Sequence, residues 1–264
     1  MGDAVQRLIA ENRPCDVLLV TATQTETRAI LTRFGQQPRT HYVLGPTAAI
    51  DLGWVGSARI YLVQSEMGST GLGASQVTVT EAIDSLRPAA VIAVGMAFGA
   101  DRGKQEVGLV LISRQLVLYE KQRVGTEADG ATAVTARGDR VTASPELLAR
   151  FRLAANTCAC QVEFGLLLSG EKLIDNDDYR RRLLALEPEA IGGEMEGSGV
   201  YAAASSRKVD WIVVKAICDW ADGKKSHRKQ ARQEQAATAS AGFVLHALTG
   251  GGFTRDNLRH RAYH

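Results

Sequence analysis

Short apolar runs rich in β-branched residues alternate with helical patterns along almost the whole chain. The run VLLV at 17–20 precedes helical spacing over 25–34, and the run AAVIAV at 89–94 follows helical spacing over 74–86. Continuous apolar strands separated by helices are typical of a largely parallel sheet that is covered on both faces. We therefore predict a three-layer α/β/α sandwich around a central, mostly parallel but mixed twisted sheet.

The same alternation continues to the end of the chain. Further strands are predicted at 58–64, 107–112, 115–119, 162–169 and 211–217, and further helices at 144–156, 175–186 and 228–248. The polar, glycine-bearing stretch 122–142 is predicted to be a surface excursion within the domain. We therefore expect one domain over 14–249, with terminal extensions at 1–13 and 250–264, the second of them a loosely attached tail.

The composition narrows the class of protein. Of 264 residues, 45% are hydrophobic and 23% are charged, which is typical of an ordered globular protein. Lys and Arg total 31 against 29 Asp and Glu, a net charge of +2, so the chain lacks the basic excess that usually accompanies nucleic-acid binding. No apolar run approaches the roughly 18 residues that cross a bilayer, and we expect no membrane association.

The four cysteines are too few to form a disulfide scaffold in a chain of this size. Cys158 and Cys160 form a C-x-C without the paired cysteines or nearby histidines of a zinc site. The amino-terminal stretch MGDAVQRLIAENRP lacks the long apolar segment of a secretory signal. We therefore expect mostly reduced cysteines, a cytoplasmic location and no bound metal.

Three carboxylates stand where predicted strands end. Glu26 lies six residues beyond the first strand, Glu196 lies in the small-residue segment 193–199 (GEMEGSG), and Asp219 follows the strand WIVVKAI. Each has a structural explanation by itself, as a helix-start charge, a tight helix start or a strand terminator. Because ligands of α/β sheets bind at the carboxyl ends of the strands, the coincidence of all three favours a ligand site.

The glycine loops and the basic run are less specific. The loop 68–73 (GSTGLG) follows a strand and precedes a helix, but its spacing is neither the dinucleotide fingerprint nor a phosphate-binding loop. The loop 95–99 (GMAFG) is well placed after a strand. The run 224–229 (KKSHRK) is typical of a solvated face, although its proximity to Asp219 leaves open a position near the negative end of a ligand.

The segments GEMEGSGVYAAA and VVKAICDWADGK resemble the purine nucleoside phosphorylase and nucleosidase superfamily, and in pattern most resemble its methylthioadenosine/S-adenosylhomocysteine nucleosidase branch. VLLVTATQTETRAI, SEMGSTGLGAS and VIAVGMAFG extend the resemblance over most of the chain. It implies a nucleoside phosphorylase-like fold, a homo-oligomer, and hydrolysis of the N-glycosidic bond of an adenosine-type purine nucleoside, such as methylthioadenosine or S-adenosylhomocysteine, without metal or organic cofactor.

The resemblance also assigns roles. Asp219 would protonate or hydrogen-bond N7 of the leaving base, and Glu26 would orient and deprotonate the attacking water. Glu196 would bind the ribose hydroxyls, and Met195 would pack beneath the sugar. Further contacts to the base and ribose would come from Met96, Ala97, Phe98 and Leu173. These roles suit the chemistry, because glycosidic cleavage develops positive charge on the sugar and needs a proton on the leaving group.

Departures from the family pattern keep alternatives open. Superfamily phosphorylases hold phosphate with an arginine and a serine where this chain has Ala93 and Met96, which favours water as the nucleophile. Cys218 replaces the usual serine before the catalytic acid. The alternatives are a phosphorylase, a nucleosidase for 5′-phosphorylated purine nucleotides such as ATP in a stress or defence role, and a non-catalytic purine-sensing module. In the nucleotide case the basic run 224–229 would meet the phosphates.

Overall fold

A computed structural model of the protein describes residues 15–35, 39–223 and 228–259. Within these ranges the strands are β1 Val17–Thr21, β2 His41–Leu44, β3 Thr47–Val55, β4 Ala58–Gln64, β5 Ala90–Gly99, β6 Val110–Leu118, β7 Gln122–Thr126, β8 Thr132–Ala136, β9 Arg140–Thr142, β10 Val162–Ser169, β11 Ala190–Glu194 and β12 Asp210–Asp219. The helices are α1 Gln24–Arg33, α2 Ser75–Leu86, α3 Pro145–Thr157, α4 Asp177–Leu186, α5 Gly197–Ser206, α6 Lys229–Thr249 and α7 Arg255–Arg259.

Ten of these strands form one mixed sheet in the order β11-β10-β6-β12-β5-β1-β4-β3-β2, with β9 paired to β6. The neighbours β1–β4, β1–β5, β5–β12, β6–β10 and β10–β11 are parallel, whereas β6–β12 and the β2–β3–β4 edge are antiparallel. Helices α1, α3 and α6 pack together, as do α2 and α5, and the helices lie on both sides of the sheet. The predicted three-layer mixed α/β architecture is confirmed.

The sheet closes on itself at one end. Strand β11 pairs with β10 on one side and, antiparallel, with β5 on the other, through Gly192–Gly99 and Gly193–Phe98. A Cβ on Gly192 would lie 2.4 Å from the carbonyl oxygen of Phe98, so the close approach of these two strands requires glycine there. The ring β5-β12-β6-β10-β11 brings the chain after β11 to the carboxyl ends of β5 and β12.

Several elements differ from the sequence-based prediction. Strand β6 is continuous where the pattern suggested two strands at 107–112 and 115–119, and the prediction omitted the β2–β3 hairpin and β11. The predicted surface excursion 122–142 forms the two-stranded ribbon β7–β8 and the short strand β9 at the edge of β6. The hairpin was omitted because its apolar pattern is weak: β2 is a short strand with alternating exposure, and β3 is interrupted by a glycine.

The expectation of reduced cysteines is wrong for one pair. Cys158 and Cys160, just after α3, form a disulfide, with Cα atoms 5.2 Å apart. The chain turns between α3 and β10, and this turn brings the two Cα atoms within the usual range for a disulfide. Cys15 and Cys218 are buried free thiols.

The segment after Thr249 is packed, contrary to the prediction of a loosely attached tail. Phe253 is 1% exposed and meets Phe151 edge-on, with ring centroids 5.8 Å apart. Leu258 is also buried, and the backbone N–H of Arg255 donates to Oδ1 of Asp16 at 2.7 Å. Phe253 precedes α7 and Leu258 is the only apolar residue on it, so the segment has no detectable periodicity, which is why the sequence pattern missed this packing. The last five residues, 260–264, lie outside the described part.

Among the described helices, none is long and apolar enough to span a bilayer.

Replacing Phe253 with Ala is expected to lower the free energy of unfolding by about 3–5 kcal/mol, because the change leaves a cavity beside Phe151 in the buried core. The measurement is urea unfolding followed by circular dichroism. Leu153→Ala serves as the control, since Leu153 is 68% exposed and its loss should change stability by less than about 0.5 kcal/mol. Equal unfolding midpoints for wild type and Phe253→Ala would contradict the packed carboxyl-terminal segment.

Candidate active site

A cavity of about 280 Å³ opens at the carboxyl ends of β1, β5, β11 and β12. All eight residues singled out from the sequence line it: Glu26, Met96, Ala97, Phe98, Leu173, Met195, Glu196 and Asp219. The lining also includes Lys229, the last residue of the basic run 224–229, and residues that the sequence analysis did not single out, among them Thr23, Met67, Lys172, Glu194 and Gln233. The three strand-end acids therefore share one cavity.

Glu26 is buried at the start of α1 and is held by backbone donors from two strand ends. Its Oε2 accepts from the N–H of Ala22 at 3.0 Å and of Thr23 at 2.8 Å, and its Oε1 accepts from the N–H of Met96 at 2.7 Å. The Thr23 bond is half of a capping box, in which the Thr23 hydroxyl accepts from the N–H of Glu26. A Cβ on Gly95 would lie 2.0 Å from Oε1, so glycine is required there.

Lys215 is a functional candidate that the sequence analysis missed. It is 1% exposed within β12, and its Nζ lies 2.8 Å from Oε2 of Glu196 and 4.0 Å from Oε2 of Glu194. Burial by itself would lower the pKa of Lys215, but the negative charges of Glu196, Glu26 and Glu194 outweigh burial and raise it above its ordinary value. The sequence feature that could have identified it is a single lysine inside the otherwise apolar strand WIVVKAI.

The two acids of the E-M-E motif have different surroundings. Glu194 ends β11 and is buried, and its carboxylate accepts from the N–H groups of Glu196 and Gly197 at the start of α5. Burial raises the pKa of Glu194, the charge of Glu196 raises it further, and the charge of Lys215 opposes both. Glu196 lines the cavity, and its Oε1 accepts from the N–H of Gly68 at 3.2 Å. The motif thus supplies one acid that fixes the turn and one that faces Lys215.

Asp219 is the last residue of β12 and is partly exposed to the cavity. Its Oδ1 accepts from the N–H of Ala221 at 2.8 Å, and the Cys218 thiol donates to its Oδ2 at 3.4 Å. The same thiol lies 3.4 Å from the carbonyl oxygen of Ala97. Trp220 is buried beside the site with Arg102 over its ring at 5.1 Å, and it is not among the cavity-lining residues.

The mouth of the cavity is formed by exposed side chains. Leu173 and Met67 are 65% and 54% exposed, and Lys172 pairs with Glu120 on the surface. Lys229, the first residue of α6, lines the cavity, whereas Lys224, Lys225 and His227 of the basic run lie outside the described residues.

The described residues contain no cluster of three or more His, Cys, Asp or Glu side chains arranged to hold a metal ion. The buried carboxylates of the cavity are instead satisfied by backbone N–H groups and by the ammonium of Lys215.

Comparison with known proteins shows the family to which the chain belongs. The family model described as "Phosphorylase superfamily" matches residues 16–249, which lie within the domain predicted over 14–249. The chain belongs to the phosphorylase superfamily. The superfamily match includes all three strand-end acids and Lys215.

Individual relatives within the phosphorylase superfamily carry different names. The chain is 31% identical over 257 residues to a "Death domain-containing ATP nucleosidase" of Amphimedon queenslandica, a match that covers 88% of this chain and 48% of the relative. The chain thus spans about half the length of that protein. It is also 29% identical over 206 residues to a 5′-methylthioadenosine/S-adenosylhomocysteine nucleosidase of Haemophilus influenzae, covering 75% of this chain and 84% of the relative.

Solved structures of two other proteins share the fold. The Neisseria meningitidis 5′-methylthioadenosine/S-adenosylhomocysteine nucleosidase, in complex with methylthio-immucillin-A, superposes with a TM-score of 0.76 at 21% identity, covering 89% of this chain and 99% of that chain. The futalosine hydrolase of Helicobacter pylori also gives a TM-score of 0.76 at 21% identity, covering 91% and 100%. The predicted nucleoside phosphorylase-like fold is confirmed.

Lys215→Met is expected to lower the free energy of unfolding at pH 8 by about 3–5 kcal/mol, because it leaves buried carboxylates without a counter-charge. The loss should shrink as the pH falls toward 5, since buried Glu194, whose pKa burial raises, can then take up a proton and become neutral. Urea unfolding of wild type and variant at pH 8 and pH 5 measures this loss of stability. Lys215→Arg keeps the charge and should lose less stability; a pH-independent loss in Lys215→Met would contradict the electrostatic explanation.

Proposed function

We propose that the protein hydrolyses the N-glycosidic bond of an adenosine-type purine nucleoside or nucleotide, releasing the free base. The observation that carries the proposal is the convergence of Glu26, Glu196 and Asp219 on one cavity with Lys215 beneath it. The names of its superfamily relatives, which are nucleosidases, support the same reaction.

The three acids divide the reaction between them. Asp219, at the edge of the cavity, donates a proton or hydrogen bond to N7 of the departing purine. Glu196 binds the ribose hydroxyls, with Met195 beneath the sugar. Negative charge on buried Glu196 and Glu26 stabilises the positive charge that develops on the ribose as the bond breaks.

Glu26 is suited to hold a water molecule. A carboxylate offers about four acceptor positions, and backbone N–H groups occupy three of those on Glu26. The remaining position can accept an O–H from a water and take its proton as the oxygen attacks the sugar. The three backbone bonds hold this carboxylate in place, which reduces the freedom lost on reaching the reactive geometry.

The same contacts disfavour phosphate as the nucleophile. The backbone N–H groups of Ala22, Thr23 and Met96, which could otherwise bind an anion at the ends of β1 and β5, are already bonded to Glu26. Ala93 and Met96 also provide neither of the polar side chains that superfamily phosphorylases use. A phosphate beside Glu26 would meet a like charge. Water is therefore the favoured nucleophile.

The remaining contacts of the substrate come from the cavity walls. Met96, Ala97 and Phe98 lie beside the base and ribose, and Leu173 covers the base from the mouth. The named relatives leave two classes of 5′ group, an alkylthio group and a triphosphate. No metal or organic cofactor is required for either, because the acid, the base and the charge stabilisation all come from side chains.

We also propose a cytoplasmic homo-oligomer. The exposed apolar side chains of Met67, Leu72 and Leu173, which are 54%, 93% and 65% exposed, support an association surface. Two of the four cysteines, Cys15 and Cys218, are free thiols, as in a reducing compartment, whereas the Cys158–Cys160 pair is oxidised.

Glu26→Gln and Asp219→Asn are each expected to lower the rate of base release by at least about 100-fold, because each removes an acid–base group at the reacting bond. Chromatographic detection of free adenine from adenosine, methylthioadenosine and ATP measures it. Asp256→Asn, on the exposed surface of α7, is the matched control and should keep wild-type activity. Near-wild-type turnover in either active-site variant would contradict its role, and purine binding by the wild type without base release would indicate a sensing module.

Inorganic phosphate should leave the wild-type rate unchanged, and the sugar product should be the free ribose derivative. Measuring base release with and without phosphate, and separating ribose from ribose 1-phosphate, tests the choice of nucleophile. A phosphate-dependent rate with ribose 1-phosphate as product would show a phosphorylase instead.

A further inference from the structure

The cavity has an acidic interior and a basic rim. Glu26, Glu194 and Glu196 in its lining are each no more than 6% exposed, whereas Lys172 and Lys229 of the same lining are exposed. Charge therefore changes sign between the floor and the mouth. Such a cavity is complementary to a ligand that becomes positive at its buried end and is negative at its outer end.

The two rim lysines come from different elements. Lys172 lies in the loop between β10 and α4, and Lys229 is the first residue of α6. A cation in the first turn of a helix opposes the helix dipole. The position of Lys229 is therefore slightly unfavourable for the helix itself. Gln233, four residues further along α6, also lines the cavity and offers amide donors.

Both ammonium groups can be redirected toward a ligand at small cost. Lys172 pairs with Glu120, but both side chains are partly exposed, 53% and 31%, and surface pairs of this kind contribute little to stability. Lys229 is exposed at the start of α6, so a ligand at the mouth can reach its ammonium group.

The size of the cavity sets which part of a substrate reaches the rim. Its volume of about 280 Å³ is at the lower end for small-molecule sites. With the base at Asp219 and the ribose hydroxyls at Glu196, the nucleoside occupies this space. The 5′ carbon is attached at C4′, which with C1′ flanks the ring oxygen on the side of the ribose away from the 2′ and 3′ hydroxyls. With those hydroxyls at buried Glu196, both the base and the 5′ group face the mouth.

We infer that Lys172 and Lys229, with Gln233, form a subsite for phosphate on the 5′ carbon, so that the substrates are purine nucleoside 5′-phosphates. The inference rests on the proposed function, because the rim is placed for phosphate only when a nucleoside fills the cavity. In this arrangement the rim side chains select substrates by their 5′ group, and the buried acids carry out the cleavage of the glycosidic bond.

The test compares a nucleotide with the matching uncharged nucleoside in each variant. The ratio of kcat/KM for AMP, and separately for ATP, to kcat/KM for adenosine is measured in wild type, Lys172→Gln/Lys229→Gln and Arg232→Gln. Arg232 lies on the same helix but not in the cavity lining, so it controls for lost charge alone. Thermal unfolding is measured to check that each variant is folded. Because both lysines are exposed, we expect their substitution to leave the fold intact.

We expect the double substitution to lower both ratios by about tenfold or more, the effect of losing charge-assisted hydrogen bonds, while Arg232→Gln leaves them unchanged. Added salt should lower wild-type kcat/KM for the nucleotides more than for adenosine. Unchanged ratios in the double variant, or a wild type that cleaves adenosine and methylthioadenosine but not AMP or ATP, would overturn the phosphate subsite alone. Failure of the wild type to release base from any of these compounds would overturn the proposed function.

Discussion

The active-site cavity depends on one buried ammonium group placed among buried carboxylates. Lys215 Nζ lies 2.8 Å from Glu196 and 4.0 Å from Glu194, and a Cβ on Gly95 would touch both Nζ and the carboxylate of Glu26. Removing each of these charges from water costs several kcal/mol, and their mutual attraction together with backbone donors offsets that cost. The resulting cluster places excess negative charge at the floor of the cavity, which is the charge that the proposed glycosidic cleavage requires.

The fold creates this cluster by joining strands whose carboxyl ends meet. Parallel pairing of β1, β5 and β12 brings Glu26, Met96 and Asp219 to one edge, although they are far apart in the chain. The closing contact between β5 and β11 adds Glu194 and Glu196 to the same edge. The antiparallel β11–β5 pair is therefore as important for the site as the parallel pairs that typify the architecture.

In the proposed function, the chemical step and the choice of substrate belong to different parts of the cavity. The groups at its floor are buried, fixed by backbone hydrogen bonds and shared among strand ends, as a preorganised reaction site requires. The groups at its mouth, such as Lys172, Leu173 and Lys229, are exposed and lie on a loop and a helix start. Superfamily relatives named for different 5′ groups fit this division, because the mouth can vary without disturbing the floor.

The sequence by itself determined the layer architecture and the approximate position of the acids. Apolar strands alternating with helices specify a covered sheet, and an acid at the end of such a strand is placed at its ligand-binding edge. Tertiary structure alone decided that Lys215 faces Glu196, that the N–H of Met96 holds Glu26, and that Phe253 packs on Phe151. These contacts join residues up to about a hundred positions apart, and strand pairing and helix packing rather than local pattern set which side chains meet.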